Sequence, residues 1–167
     1  MEPTRIARAT LRAEIEELVV ENAYLLDRGR FREILDTYAE DCEVTRPLPP
    51  FTDPALEETV RGRDAVAAQY ADRAMWPPTP RTMRHVVTNL RFSTLEEDRA
   101  AATVAWTGYR FEGAGLSIAN PMAVGDYEDA YRRDRDGCWR IARRKIVIAF
   151  LDRQLLGIAQ EATHGNR

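Results

Sequence analysis

The chain has 167 residues, 44% of them hydrophobic and 31% charged, with 24 basic against 27 acidic side chains and a net charge of −3. That is the size and composition of a single soluble domain able to bury a core, expected to span 1–167. The slight acidic balance argues against nucleic acid as a partner, two histidines are too few for a histidine-rich zinc or iron centre, and no apolar run approaches a membrane span.

Met1 to Arg12 mixes charged and small residues and has no apolar signal-peptide core, so a cytoplasmic location is the expectation. Leu11, Ile15, Leu18, Val19, Asn22, Leu25 and Leu26 then recur at helical spacing, with Glu14, Glu16, Glu17 and Glu21 on the wet side. Gly29 is a natural stop for this helix. A shorter helix is expected from Arg30 to Ala39, with Phe31, Ile34, Leu35 and Tyr38 on one side. Glu43 to Arg46 reads as a short strand. Pro47, Pro49, Pro50 and Pro54 enforce an irregular segment. A third helix is expected from Arg63 to Met75, ended by Pro77, Pro78 and Pro80.

From there the period changes to two. Strands are expected over Thr82–Ser93, Arg99–Glu112, Ala123–Arg133 and Cys138–Phe150, separated by Glu96-Glu97-Asp98, Gly113-Ala114-Gly115 and the hairpin cue Asp136-Gly137. Leu151 to Ala162 reads as a terminal helix or extended arm, with a frayed tail from about 163. Arg132, Arg133 and Arg135 alternate with Asp134 and Asp136, which reads as a solvated turn and not a phosphate site. Cys42 and Cys138 lack metal-ligand spacing and read as reduced thiols. Helices followed by long antiparallel strands define an α+β chain, with a curved sheet wrapped on the first helix as a cone.

The order of several segments resembles the SnoaL-like branch of the NTF2-like superfamily. They are Leu26-Asp27-Arg28-Gly29-Arg30-Phe31, Tyr38-Ala39-Glu40-Asp41-Cys42-Glu43-Val44, Arg61-Gly62-Arg63-Asp64-Ala65-Val66, Arg84-His85-Val86-Val87-Thr88-Asn89, Gly125-Asp126-Tyr127-Glu128-Asp129 and Gly137-Cys138-Trp139-Arg140-Ile141-Ala142-Arg143-Arg144. This branch includes polyketide cyclases and scytalone dehydratase, and β subunits of ring-hydroxylating dioxygenases share its fold. The resemblance specifies the fold far better than the reaction.

In the dehydratases of this group an Asp near the end of the first helix and a His on the first long strand face the cone. Asp27 and His85 match those positions. The chemistry suits them: an imidazole takes a proton from carbon or gives one to a departing hydroxyl, and a carboxylate orients the ring. Without the resemblance, the same residues read as a hydrogen-bonded strand histidine and a solvated helix-end carboxylate. Along the strand, Met83, His85, Val87 and Asn89 share one face and Arg84, Val86, Leu90 and Phe92 the other, which implies cover on both sides. The sequence departs from scytalone dehydratase at two places. Its second histidine is matched by Val124, and the tyrosine before its helix-end aspartate by Leu26. Both departures weigh against a two-histidine dehydration.

Tyr24, Phe51, Trp106, Asn120 and Tyr127 are the substrate-binding candidates. Trp106 and Tyr109 fall on opposite faces, so at most one lines the pocket. Tyr127 can donate to a substrate oxygen or anchor the core. Trp139 is assigned to the core, and one of Arg143 and Arg144 is expected to pair with Asp126 or Asp129. Pro47 to Thr59, with Leu48, Phe51 and Leu56, is either an entrance flap or a plain surface loop. The function expected from the resemblance is a cofactor-free lyase or isomerase (dehydratase, double-bond isomerase or cyclase) with His85 and Asp27 as general acid–base. Its substrate would be a small hydrophobic oxygenated ring compound, and no metal or membrane would be involved. A non-catalytic dioxygenase β-type subunit and a small-molecule-binding module are the alternatives, and a homodimer or homotrimer is expected.

Overall fold

The computed structural model describes residues 4–48, 51, 55–71, 81–112 and 121–152. Helix α1 (Arg5–Asp27) begins where the Thr4 hydroxyl accepts the Ala7 N–H at 3.2 Å, which satisfies one of the free amides of the first turn. Leu11, Ile15, Val19, Asn22, Ala23 and Leu25 are its buried residues, as the apolar stripe requires. Ile15 is fully enclosed, and truncating such a side chain to alanine costs about 2–5 kcal/mol.

A short α2 (Phe31–Ile34) passes into a 3-10 turn (Leu35–Thr37), and strand β1 runs over Tyr38–Pro47. The expected second helix therefore ends five residues early and the first strand starts five residues early. Phe31, Ile34, Leu35 and Tyr38 have helical spacing, but Tyr38 is buried as the first residue of a strand, paired with Ile141. Strand β2 (Glu57–Arg61) and helix α3 (Arg63–Ala71) follow, then β3 (Arg81–Leu95), β4 (Arg99–Glu112), β5 (Pro121–Arg133) and β6 (Trp139–Leu151). The expected continuation of the third helix to Met75, the Gly113-Ala114-Gly115 turn, most of the terminal arm and the tail lie outside the described residues.

The six strands form one open sheet in the order β2-β1-β6-β5-β4-β3. Neighbours are antiparallel except β1 and β6, which run parallel. The architecture is α+β, with α1 packed along β3. The core joins Leu11, Ile15, Val19 and Leu25 of α1 to Val104, Tyr131, Trp139 and Ile141 of the sheet. Trp139 is a core residue, and its indole N–H donates to Glu14 at 2.9 Å. Cys42 is buried and Cys138 exposed, both as free thiols.

Two expectations change here. The segment Pro47–Thr59 is in part a hairpin: Leu48 N–H donates to the Leu56 carbonyl at 2.8 Å, and Glu57 to Arg61 pair with β1. Charged residues at the outer strand hid it from the pattern, and such charges are how edge strands avoid unwanted pairing. The second change concerns β3. Its register shifts between Thr88 and Arg91, where Asn89 takes a φ of 52°. This bulge inverts the alternation, so His85 and Val87 are inward before it and Leu90 and Phe92 after it. Apolar residues of both parities thus arise from one inner face, and Val86 is 43% exposed on the other.

Candidate active site

The last residue of α1 carries the first half of the site. Gly29, with a φ of 65°, closes the helix: its N–H donates to Leu26 at 3.1 Å, and the Arg30 N–H donates to Leu25 at 3.0 Å. This double closure needs a left-handed residue after the cap, a conformation glycine adopts without steric penalty. It holds Asp27 as the final helical residue, its carboxylate only 3% exposed.

The second half comes from β3. The backbone N–H of His85 donates to both oxygens of Asp27, at 3.0 and 2.9 Å. The His85 ring meets the same carboxylate, Nδ1 to Oδ1, at 2.6 Å, and its side chain is 8% exposed. Arg84 adds a cation 3.7 Å from Oδ2 on the solvent side. A carboxylate at a helix C-terminus sits at the negative end of the helix dipole, so these donors are what make the position tenable. Because a carboxylate only accepts, Nδ1 is a nitrogen that carries a proton, which in the neutral tautomer leaves the lone pair on Nε2 at the far edge of the ring. Among the described residues Nε2 has no hydrogen-bond partner.

An aromatic cluster adjoins the imidazole. The Trp106 ring lies 6.2 Å from the His85 ring, tilted by 51°. Tyr127 stacks on Trp106 at 5.5 Å and 14°. The Arg144 guanidinium lies 4.1 Å over the Tyr127 ring. Burial pushes the Tyr127 phenol well above its ordinary value, and Arg144 opposes that only in part. Tyr127 therefore stays protonated and offers a neutral O–H, with no partner among the described residues.

Beneath the cluster runs a buried polar network. Arg144 forks onto Asp129 at 2.8 and 2.7 Å and donates to Asn22 at 2.7 Å. Asn22 donates to the Thr37 hydroxyl at 2.7 Å, and Tyr131 donates to Asp129 at 2.8 Å. Of the two arginines and two aspartates weighed from the sequence, the buried pair is Arg144 with Asp129. Asn22 was visible as a polar residue on an apolar stripe; its role as the link from α1 to the sheet was not.

The remaining candidates fall differently. Tyr24 is 41% exposed on α1, and its ring is covered by the Arg28 guanidinium at 5.1 Å. Phe51 sits in the β1–β2 connection, its N–H donating to Leu48 at 3.0 Å, on the sheet edge opposite β3. Asn120 lies outside the described residues. Four grooves on the described surface, including one of about 440 Å³ between α1 and β3 lined by Arg12, Val20, Val87 and Asn89, have neither Asp27 nor His85 in their walls. Segments 72–80 and 113–120, which adjoin the His85 end of β3 and β4, lie outside the described residues. Among the described residues no three His, Cys, Asp or Glu side chains gather as metal ligands, and no helix is long and apolar enough to cross a membrane.

An open sheet folded over a helix, with a buried carboxylate and imidazole between them, defines a class of small α+β proteins. Within it, the model of the SnoaL-like domain matches residues 7–145, and the chain belongs to that family. Three solved structures from Novosphingobium aromaticivorans have the same fold. An NTF2-like protein with a cystatin-like fold is 23% identical over 94% of each chain, at a TM-score of 0.67. A candidate scytalone dehydratase is 20% identical over 85% of this chain and 86% of that one, at 0.67. The β subunit of a candidate aromatic-ring-hydroxylating dioxygenase is 15% identical over 89% and 94%, at 0.70. No curated protein sequence matches the chain.

Proposed function

We propose that this protein is a cofactor-free lyase or isomerase that moves a proton on a small hydrophobic oxygenated ring compound, with His85 as the general acid–base and Asp27 as its orienting partner. The observation that carries this reading is the 2.6 Å contact between the two side chains, with His85 only 8% exposed beside the Trp106 ring and Nε2 without a hydrogen-bond partner among the described residues. In such a place the neutral imidazole takes a proton from carbon at Nε2. The Asp27 carboxylate then faces the imidazolium, whose charge it offsets in a medium that screens poorly. Return of that proton to a second carbon isomerises the substrate; delivery to a departing hydroxyl dehydrates it. Val124 in place of a second histidine makes His85 the donor in both directions, so proton return through one imidazole is the simpler chemistry for this site.

Solvent-deuterium exchange into bicyclic ring ketones, followed by mass spectrometry, tests the proposal without knowledge of the natural substrate. Exchange catalysed by the wild type and lost in a folded His85→Gln variant is the expected result. Exchange that survives that substitution would remove His85 from the mechanism.

The likeness to a dioxygenase β subunit accommodates a second reading, a subunit that supports a catalytic partner. A scaffold has no need of a buried imidazole oriented by a carboxylate, and that pair favours catalysis. A chain that stays insoluble until it is co-expressed with a Rieske-type partner would favour the scaffold.

A further inference from the structure

Many arginines of this chain are matched by carboxylates: Arg61 by Glu43, Arg99 by Glu96, and Arg132 by Asp41 and Asp134. One groove departs from this. It has a volume of about 440 Å³ and lies between the first turns of α1 and the last residues of β3. Arg5, Arg8 and Arg12 stand on one side and Arg91 on the other, over Ala9, Leu90, Phe92 and Leu95, with no carboxylate in its walls. Arg12 is held in place: it bonds Glu16 at 2.8 Å and the Leu90 carbonyl at 3.1 Å, and it covers the Phe92 ring at 5.4 Å. Among the described residues the side chains of Arg5, Arg8 and Arg91 have no hydrogen bond and no ion pair.

This placement works against the helix. Cations oppose the positive end of the dipole at the start of α1, and Arg8 and Arg12, four residues apart, repel each other. The first turn holds no acidic residue to offset them, and residues 4–10 are exposed, so no burial compensates there. An anion from outside the chain would supply the missing charge.

The shape of the surface says what kind of anion. Past Arg12 and Leu90 the groove continues into a second one lined by Val19, Val20 and Val87. The seam thus follows α1 from Arg5 to Val20, about 22 Å at the rise of an α-helix. That is too long for a small ligand, and it is basic at one end and apolar at the other, where Val20 is 58% exposed. Arg5, Arg8 and Arg12 recur at one-turn intervals, the interval at which carboxylates line one face of a helix.

We infer that this seam is the docking surface for an amphipathic helix of a partner protein, acidic where it meets Arg5, Arg8 and Arg91 and apolar where it lies along Phe92, Leu90 and Val20. Neither Asp27 nor His85 is in its walls, so the inference stands apart from the catalytic reading.

The probe is a fluorescein-labelled helical peptide with glutamates one turn apart in one half and a leucine stripe along its length, titrated with the full chain and read by fluorescence anisotropy. One control peptide has glutamine for each glutamate, and another has the same residues in scrambled order. Saturable binding that weakens as salt rises is the expected result. Arg8→Gln and Arg91→Gln should each weaken it about two- to fivefold, and Arg8→Glu combined with Arg91→Glu by more than about 10-fold. Arg32→Gln, at an exposed position of α2, should bind as the wild type does. The thermal midpoint of Arg8→Gln should hold or rise, because a cation leaves the start of α1, which separates lost binding from lost folding. The inference fails if the peptide does not bind, if either control peptide binds as tightly, or if the Arg8 and Arg91 variants bind like the wild type. It also fails if anionic phospholipid vesicles or a single-stranded oligonucleotide displace the peptide at lower concentration, which would make the seam a site for phosphate polyanions.

Discussion

Arg144 and Asp129 are direct cross-strand partners on β6 and β5, joined by two hydrogen bonds of 2.8 and 2.7 Å, and both are almost wholly buried. The pair sits under the aromatic cluster, so its geometry is transmitted to Tyr127 through the 4.1 Å guanidinium contact. Arg144→Met leaves the Asp129 charge buried without its partner and the Asn22 carbonyl without its donor. Stability should fall by about 3–5 kcal/mol. The double substitution Arg144→Met with Asp129→Leu should recover most of that loss, because both charges then disappear together. Urea denaturation of the two single variants and the double variant measures the coupling.

Asp27→Asn tests the orientation of the imidazole. The His85 backbone N–H needs an acceptor, which turns the amide oxygen toward it and the amide NH2 toward Nδ1. Nδ1 then accepts, and the proton is forced to Nε2, where the lone pair is required. The exchange rate should drop by about 100-fold or more. The fold should persist, as near-ultraviolet circular dichroism would report.

Gly29→Ala places a side chain at a φ of 65°. The cost should be about 1 kcal/mol, read as a lowered thermal midpoint. Because Gly29 closes the turn that holds Asp27, exchange activity should fall further than in a variant equally destabilised at a site remote from α1.

Tyr127 and Tyr131 make folding sensitive to alkali. Burial is the main force that raises both phenols above their ordinary value of 10.0, and Asp129 adds to it at Tyr131. In the folded chain they keep their protons where the unfolded chain has lost them. Their contribution is fully present below about pH 10 and declines as pH rises beyond it, because the unfolded state then binds fewer protons. Urea midpoints should therefore fall steeply above that pH. Phenylalanine at position 127 should flatten the slope, and an unchanged slope would place the alkaline sensitivity elsewhere.

Much of the fold was legible because its signals are local. The stripe of α1 is a pattern within one element, and the four long strands are bounded by turn residues that act where they stand. Tyr38 shows the limit of such signals: its spacing from Phe31 and Ile34 fits a helix, yet pairing with Ile141, far along the chain, makes it a strand. The Asn89 bulge is another case. Nothing in Val87-Thr88-Asn89-Leu90 announces an extra residue, and its effect on which residues face inward appears only against β4. Glu57 to Arg61 is a strand because β1 lies beside it, and its charges match the single solvated edge it presents.

For the site, the sequence by itself determined the family, the lone histidine of the body and the helix-end aspartate as candidates, through motif order and the resemblance they carry. Only the tertiary structure decided that Asp27 and His85 share a 2.6 Å contact, that Arg144 and not Arg143 turns inward to Asp129, and that Trp106 is left with an unmet N–H. The reason is physical. Helical and strand periodicity record which way a side chain leaves its own backbone, whereas burial and hydrogen-bond partnership depend on what other elements bring to the same volume. Asp27 and His85, 58 residues apart, acquire their chemistry only where α1 ends against β3.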